Sequence, residues 1–321
     1  MVSQPTVISL FSGCGGSSLG YKWAGYRELL AIDFDQNSVD TFRLNFPDVP
    51  CWQRDIREVT GQEILDFCKI KKGDLDLLDG SPPCQGFSTA GKRKVTDPRN
   101  DLFREYVRLI NDLGPKVFVM ENVSGMAKGT MKGIFNEVLK ELRGCGYQVK
   151  CKLMNAKWYG VPQSRERVIF IGAKDGEPSF PKPGRSVISV KEALSGVENK
   201  TFLRPNEKYI SDMQALKPGN NLSKIKKGSF YSYVKAPKNK PSMTITKSVS
   251  FGKISMWHYE ESRNITIEEA KRLCSFPDDF KMIGNYSTQW ARIGNAVMPR
   301  FMYHIAKNIK ENILKENTRE S

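Results

Sequence analysis

The sequence predicts an α/β protein with a parallel sheet and a smaller, loop-rich domain inserted near its C-terminal end. Apolar runs typical of buried strands alternate with segments of helical spacing through residues 1–173, which is the pattern of parallel α/β folds. The composition changes near Lys174, where prolines and glycines become frequent and loops predominate. We therefore divide the chain into a sheet domain at 1–173, an inserted domain at 174–263 and a segment at 264–321 that returns to the first domain.

The individual elements follow from hydrophobic periodicity. Short continuous apolar runs indicate buried strands, and apolar residues three or four positions apart indicate helices. Strands are predicted at residues 6–11, 29–33, 75–79, 116–120, 147–155 and 168–173, with a short strand ending at Asp55 and another in the inserted domain at 242–246. Helices are predicted at residues 17–24, 35–46, 101–113, 131–143, 266–273 and 300–315.

A glycine-rich turn joins the first strand to the first helix. Gly13-Cys14-Gly15-Gly16 does not match the strict Gly-x-Gly-x-x-Gly pattern of dinucleotide sites. Glycines allow a backbone to approach a ligand closely, whether or not that ligand brings a phosphate. Asp33 follows 18 residues after Gly15 at the end of the second strand, where an acid can bind ribose hydroxyls. Asp33 could equally be a solvated residue at a strand end.

A second loop, Ser81-Pro82-Pro83-Cys84-Gln85-Gly86-Phe87-Ser88, follows the strand at 75–79. Two successive prolines fit neither a helix nor a central strand, so Cys84 is predicted on a stiffened loop. In open α/β sheets the carboxyl edge of the strands is where ligands bind, and a thiolate there can act as a nucleophile. The alternative is a buried structural cysteine.

The string Pro-Pro-Cys-Gln-x-Phe-Ser resembles the catalytic loop of DNA cytosine-5 methyltransferases, and other motifs of that family follow in order over nearly the whole chain. One departure is Met298-Pro299, where many members carry a second proline; it does not put activity in doubt. The matching segments are Leu10-Phe11-Ser12-Gly13-Cys14-Gly15-Gly16, Glu121-Asn122-Val123, Gln163-Ser164-Arg165-Glu166-Arg167, Ile267-Glu268-Glu269-Ala270, Ser275-Phe276-Pro277-Asp278-Asp279, and Gln289 with Gly294-Asn295-Ala296-Val297.

The resemblance implies a Rossmann-like sheet that binds S-adenosylmethionine, together with a set of catalytic residues. It implies that Cys84 adds to C6 of a cytosine flipped out of the duplex, that Glu121 acts on N3, and that Arg165 and Arg167 neutralise charge near O2. It also implies that Asp33 binds the ribose, with Phe34 on the adenine ring. The residues that it places beside the methyl donor are Phe11, Gly13, Cys14, Gly16, Asp33, Phe34, Asp55, Ile56, Pro83, Leu102, Asn295 and Ala296.

These side-chain types suit the chemistry. Cytosine C5 is a poor nucleophile, but addition of a thiolate to C6 places electron density on C5 and negative charge on N3 and O2. An acid near N3 and guanidinium groups near O2 would stabilise that charge. The alternatives are that Glu121 is a solvent-facing acid and that Arg165 and Arg167 form a surface salt-bridge run through Glu166. Gln163 is expected to be a positioning residue of the same turn.

The charge distribution points to a polyanionic partner, which the resemblance identifies as double-stranded DNA. The net charge is +15, and no acidic residue occurs in the 47 positions between Asp212 and Glu260, which hold nine lysines with interleaved aromatic residues. A merely solubilising surface, the alternative, normally mixes both signs of charge. Within this stretch, residues 241–246 resemble the threonine-containing strand of the family's target-recognition domains.

Other classes of protein are disfavoured. There are only two histidines, and the seven cysteines include no Cys-x-x-Cys pair, so we expect no metal site, no dithiol chemistry and a reducing environment. No apolar stretch approaches the roughly 18 residues of a membrane span, and the N-terminus lacks a basic-then-apolar signal. We expect a monomeric, cytoplasmic protein of prokaryotic origin that associates with the nucleoid.

Three functions remain open at this point. The first is a sequence-specific DNA cytosine-5 methyltransferase, either solitary or acting beside a separate restriction endonuclease. The second is a tRNA cytosine-5 methyltransferase, although that group tends to carry Cys-Phe-Thr where this chain has Phe87-Ser88. The third is a catalytically silent nucleic-acid-binding relative, which would be expected to have lost Cys84 or Glu121. Methyltransferases of exocyclic amines use an Asp/Asn-Pro-Pro-aromatic loop and do not match.

Overall fold

The structure is a computed structural model that describes residues 4–83, 101–127, 132–228, 233–247 and 256–314. Cys84 and the rest of its motif, from Gln85 to Ser88, lie outside the described residues. The chain forms two compact units. Unit 1 consists of residues 1–155, 166–182 and 301–321, and unit 2 of residues 156–165 and 183–300. These two units do not show which residues recognise DNA. The division of the chain at 174 and 264 by function therefore stays a prediction.

Unit 1 contains a seven-stranded sheet in the order β3-β2-β1-β4-β5-β7-β6. The first five strands are parallel, and β7 runs antiparallel to both of its neighbours, β5 and β6. The strands are β1 (Thr6–Leu10), β2 (Arg27–Asp33), β3 (Cys51–Gln53), β4 (Leu77–Gly80), β5 (Val117–Val123), β6 (Gln148–Asn155) and β7 (Glu166–Ala173).

Helices alternate with the strands in unit 1 and are short in unit 2. None of the helices in the described ranges is both long and apolar enough to cross a membrane. They are α1 (Gly16–Trp23), α2 (Gln36–Asn45), α3 (Gly61–Cys68), α4 (Asp101–Leu113), α5 (Lys132–Gly144), α6 (Val190–Leu194), α7 (Ile210–Ala215), α8 (Ile267–Leu273), α9 (Tyr286–Asn295) and α10 (Pro299–Asn312).

The core of unit 1 lies between the central strands and the helices that cover them. β1 and β5 are fully buried from Val7 to Leu10 and from Val117 to Met120, and Ser9 is the one polar residue in these two stretches, as expected for strands covered on two sides. α4 presents Phe103, Tyr106 and Leu109 to the same core, which explains its helical spacing. This packing fixes the carboxyl ends of β1, β2, β4 and β5, where the candidate site residues lie.

The predicted α/β fold is confirmed, with five parallel strands, but β7 departs from the predicted parallel direction. Only ten residues, without a crossover helix, join β6 to β7, and a connection that short favours antiparallel pairing. The pairing of Val123 with Arg167 also carries β5 past the predicted end at Met120. Glu121 therefore lies within the strand and not after it.

Three smaller expectations also change. β3 ends at Gln53, and Asp55 instead caps the following 3₁₀ turn. α3, which was not predicted, is closed at its start by a reciprocal capping box between Thr60 and Glu63. The predicted strand at 242–246 is not a strand, since its described residues make one isolated bridge, from Ser242 to Gln163.

Unit 2 has a small core of its own. Met213, Leu216 and Leu222 pack with Tyr233 and Trp257, and the ring of Tyr209 lies 5.0 Å from that of Tyr233. Most of the surrounding chain is irregular. Side-chain packing, and not regular secondary structure, holds these loops together. This explains why hydrophobic periodicity predicted few helices and strands in this part of the chain.

Candidate active site

The glycine loop between β1 and α1 requires its glycines. Gly13 and Gly15 adopt φ values of +56° and +92°, a region that favours glycine. A Cβ atom on Gly15 would lie 2.4 Å from the ring of Phe46, whereas one on Gly13 would meet no atom of the described residues within 4 Å. The loop is thus tightly packed on one side and open at Gly13, which leaves room for a ligand against the backbone.

Asp33 joins the end of β2 to this loop. Its Oδ2 accepts a hydrogen bond from the Gly13 amide at 2.7 Å, and its Oδ1 accepts one from the Asp35 amide at 2.9 Å. The adjacent side chain of Phe34 is 72% exposed, which is unusual for a phenylalanine. An open glycine loop, an acid and an exposed aromatic ring together fit the nucleoside and amino-acid parts of S-adenosylmethionine.

The other residues of unit 1 that are predicted to lie beside the methyl donor have differing surroundings. Asp55 pairs with Arg57, and the side-chain hydrogen bond from that guanidinium lowers the pKa of the carboxyl group. Ile56 and Cys14 are buried, so their side chains contribute to packing. Leu102 packs against the core from its edge. Further residues complete the predicted set: Phe11, with φ +55°, Gly16, the first residue of α1, and Pro83, which is exposed after β4.

Glu121 and Arg167 form an ion pair across two neighbouring strands. The Arg167 Nε lies 2.5 Å from the Glu121 Oε1, and the side chains are only 13% and 11% exposed. Glu121 is opposite Ile169 in the β5–β7 register, so Arg167 is its diagonal neighbour on the same face of the sheet. A largely desolvated acid and guanidinium are thus held together beside the strand that leads to Cys84.

Asn122 ties the acid's strand to the cysteine loop. It is 4% exposed, and its Nδ2 donates a hydrogen bond to the Pro82 carbonyl at 3.2 Å. Pro82 is two residues before Cys84, so this bond fixes the start of the loop relative to Glu121. No role for Asn122 beyond its place in the motif was predicted, because a contact across 40 residues has no local signal.

Arg165 lies in a different environment from Arg167. It is 4% exposed and donates hydrogen bonds to three backbone carbonyls of unit 2. These are Ile245 and Gly294, both at 2.9 Å, and Ala296 at 3.3 Å. Those contacts favour a positioning role and not the predicted direct action on the base.

Gln163 supports the same part of unit 2. It is fully buried, its Oε1 accepts a hydrogen bond from the Ile245 amide at 3.2 Å, and its Nε2 lies 3.1 Å from the Cys274 Sγ. Asn295 and Ala296, predicted beside the donor, are the last residue of α9 and its C-cap. Their backbone is therefore fixed by the helix end and by Arg165.

Two acids of the sheet, the buried Asp79 and the half-buried Glu28, hydrogen-bond to α1 in unit 1. Tyr21, on α1, donates a hydrogen bond to the Asp79 Oδ1 at 3.0 Å, and both residues are buried. Ser18, on the same helix, donates to the Glu28 Oε1 at 2.9 Å. Burial raises the pKa of each carboxyl group to about 7. The sequence did not single out either acid, although both connect α1 to the sheet.

Asp79→Asn is expected to make the protein more stable at neutral pH. In the folded state the Asp79 carboxyl group keeps its proton up to about pH 7, whereas in the unfolded chain it loses that proton above its ordinary pKa of 3.8. The free energy of unfolding therefore falls as the pH rises from about 4 to about 7 and is constant at higher pH. Asparagine keeps an acceptor for Tyr21 without this cost. Between pH 5 and pH 8 we expect the free energy of unfolding of the parent, measured with urea, to fall by roughly 2 kcal/mol more than that of the variant.

A Tyr21→Phe variant is the matched control for this prediction. It removes the donor to Asp79 while retaining the acid, so its pH dependence should be at least as steep as that of the parent. The explanation would be wrong if Asp79→Asn and the parent lost equal stability between the two pH values.

Comparisons with known proteins agree on one family. The family model described as C-5 cytosine-specific DNA methylase matches residues 5–311. The type II methyltransferase M1.HphI of Haemophilus parahaemolyticus is 37% identical over 98% of this chain and 88% of the relative. The type II methyltransferase M.NgoPII of Neisseria gonorrhoeae is 32% identical over 96% of each chain.

Solved structures show the same fold. A prophage-encoded Escherichia coli protein described as a DNA modification methyltransferase has a TM-score of 0.81 and 26% identity, over 97% of this chain and 100% of that one. The Dnmt2 methyltransferase of S. pombe has a TM-score of 0.70 over 96% and 99% of the two chains, and at 18% identity it shows the fold alone. With its family model spanning nearly every residue, the chain belongs to the C-5 cytosine-specific DNA methylases, which take their methyl group from S-adenosylmethionine.

Proposed function

We propose that cytosine methylation is carried out by Cys84, Glu121 and Arg167. The observation that supports this most strongly is the ion pair between Glu121 and Arg167 at 2.5 Å, on a face of the sheet where both side chains are largely desolvated. Removal of water makes a fixed acid and a fixed cation more effective at stabilising developing charge. Asn122, through Pro82, holds the start of the Cys84 loop in register with them.

The proposed reaction begins when the Cys84 thiolate forms a bond to C6 of cytosine. The electrons of the C5–C6 double bond move toward N3 and O2, where Glu121 donates a proton or hydrogen bond to N3 and Arg167 neutralises O2. S-adenosylmethionine, when bound, would supply an electrophilic methyl group to C5 and would leave as S-adenosylhomocysteine. A water molecule would then accept the C5 proton. The electrons of that C–H bond re-form the C5–C6 double bond, the bond between C6 and the Cys84 sulfur breaks, N3 returns its proton or hydrogen bond to Glu121, and 5-methylcytosine is freed.

We assign the binding site of the methyl donor to the carboxyl ends of β1 and β2. Asp33 anchors the Gly13 amide at the end of β2, where its carboxylate is proposed to bind the ribose hydroxyls, and the exposed ring of Phe34 can stack on adenine. Asp55, at the start of the turn that follows β3, is proposed to contact the adenine amine. Arg165 acts as a positioning residue that holds the carbonyls of Ile245, Gly294 and Ala296.

Residues 174–263 are proposed to form the target-recognition domain. This stretch carries 17 Lys or Arg residues against 8 Asp or Glu residues, so it can contact phosphates, and its loops can present side chains to base edges. We further propose that the protein is a cytoplasmic monomer that acts on a specific sequence. The names of the type II relatives favour a restriction-modification setting with a separate endonuclease.

Methylation of duplex DNA and of tRNA, compared under identical conditions, tests the proposal. We expect transfer of the methyl group to duplex DNA, and bisulfite sequencing of the product should show one methylated sequence context. The control is the Cys84→Ala protein, which should label neither substrate. Preferential labelling of tRNA, or methylation of cytosines without regard to context, would contradict the proposed specificity.

A further inference from the structure

The turn at residues 55–59 follows β3 and is tied to the end of β2. It begins at Asp55, whose side chain accepts a hydrogen bond from the Arg57 amide at 3.0 Å. Just before it, the Arg54 amide donates to the Asp33 carbonyl at 3.1 Å. The residue proposed to contact the adenine amine is thereby connected to the residue proposed to bind the ribose.

α4 is linked to the same turn through one guanidinium group. The Arg108 Nη2 donates hydrogen bonds to the carbonyls of Ile56, at 3.2 Å, and Val59, at 2.8 Å. These carbonyls belong to the first residue of the 3₁₀ turn and to the residue that ends it, and both residues are buried in the core of unit 1. A single side chain therefore holds both ends of the turn.

Two acids of α4 hold this guanidinium in place. The Glu105 carboxylate lies 2.7 Å from it, and the Asp112 Oδ2 lies 3.2 Å from it. They are three residues before and four residues after Arg108, the spacings at which side chains on one helix meet. A Cβ atom on Gly61 would lie 2.2 Å from the Asp112 Cβ, so α3 packs closely on α4 directly after the turn.

α4 is itself fixed to the sheet. The Tyr106 hydroxyl donates a hydrogen bond to the Val119 carbonyl at 2.8 Å, and its side chain is fully buried. The first turn of α4 carries Leu102, which is also predicted beside the methyl donor. The side chain of Arg108 thus connects the turn at 55–59 to a helix that is already held in place.

We infer that Arg108 is a positioning residue for the adenine part of the methyl donor, and that it acts through Asp55. Hydrogen bonds from a charged donor are among the stronger ones in proteins, so their loss would release the turn at 55–59 from α4. A displacement of about 1 Å takes an N–H···O contact out of hydrogen-bonding range. The inference rests on the proposed function, since it takes Asp55 as the contact to the adenine amine.

Calorimetric binding of two ligands tests this inference. The probes are S-adenosylhomocysteine and its analogue in which hydrogen replaces the adenine amine. We expect the parent to bind the analogue about tenfold more weakly, the scale of one hydrogen bond to a charged group. Arg108→Met should bind S-adenosylhomocysteine about tenfold more weakly and should distinguish the two ligands by less than about threefold. A residue that only stabilised the fold would weaken both ligands equally.

Two further variants complete the experiment. Arg104→Met is the matched control, because Arg104 is on the same helix but lies near Glu137, at 3.9 Å, and Glu141, at 3.8 Å. It should keep the parent's affinity for both ligands. A variant with both Arg108→Met and Asp55→Ala should bind S-adenosylhomocysteine no more weakly than Asp55→Ala alone, because the arginine acts through the acid.

The inference is overturned if Arg108→Met keeps the parent's response to the amine, or if it weakens both ligands by the same factor. Unfolding in urea shows whether this variant folds. If it does not, Arg108→Gln, whose side chain is shorter but polar, replaces it, and the same two results are decisive there. A parent that binds both ligands equally would instead remove the contact proposed for Asp55, whereas an unchanged response in the variant alone would remove only the role of Arg108.

Discussion

Cys84→Ala is expected to abolish methyl transfer, with a loss of more than about 10⁴-fold, the scale seen when a covalent nucleophile is removed. Without the thiolate, C6 gains no substituent and C5 stays a poor nucleophile. DNA binding should persist, because the basic residues of unit 2 are unchanged. The measurement is transfer of a labelled methyl group to duplex DNA, with affinity determined in parallel.

Covalent trapping gives an independent readout for the same variant. On DNA that contains 5-fluorocytosine, the C5–F bond blocks the elimination that frees the cysteine, so the parent should form a stable adduct and Cys84→Ala should not. Cys68→Ala is the matched control, because burial raises the pKa of that thiol to about 11 and an inert thiol should not matter. Turnover by Cys84→Ala would contradict the mechanism.

The sequence predicted best those elements whose pattern is local. α4 has the predicted bounds, Asp101–Leu113, because its apolar residues recur at helical spacing over three turns. The glycine loop was also predictable, since Gly13 and Gly15 adopt positive φ values that other residues rarely adopt. α3 could have been found from Thr60 and Glu63, whose spacing matches a capping box.

Features that depend on distant contacts were not predictable in this way. A buried apolar run gives no strand direction, so the antiparallel pairing of β7 required the structure. The contrast between the two arginines of the motif also depends on the fold. Arg165 reaches carbonyls about 80 and 130 residues away, whereas Arg167 meets Glu121 on the neighbouring strand.

The prediction for the strand at 242–246 failed for a related reason. Its alternating Ser, Thr and Ile residues suit an edge strand, but Ser242 pairs only once and Thr244 bonds to the Ser164 carbonyl. Side-chain contacts with a distant turn replace the ladder of a sheet. Loop-rich domains of this kind carry little periodicity, so their structure is weakly encoded in local sequence.

Glu121→Gln is expected to slow the chemical step by roughly 10²–10⁴-fold, the usual effect of losing one positioned proton-transfer group. Glutamine can still donate a hydrogen bond to N3, but it cannot supply a proton. Binding of S-adenosylmethionine should change little, since Asp33 and the glycine loop are proposed to hold it. Single-turnover rates at saturating donor, together with the donor's dissociation constant, separate the two effects.

A double-mutant cycle with Arg167 tests whether the ion pair acts as a unit. Arg167→Gln alone leaves the Glu121 carboxylate without its partner in a largely desolvated position, so it should slow chemistry and also lower stability. The variant with both changes should recover part of that stability while remaining as slow as the worse single variant, because residues that act together give non-additive losses. Two results would show that the pair lies outside the catalytic site. One is a loss of rate in the double variant equal to the sum of the two single losses. The other is a Glu121→Gln variant that binds S-adenosylmethionine much more weakly but keeps the parent's single-turnover rate.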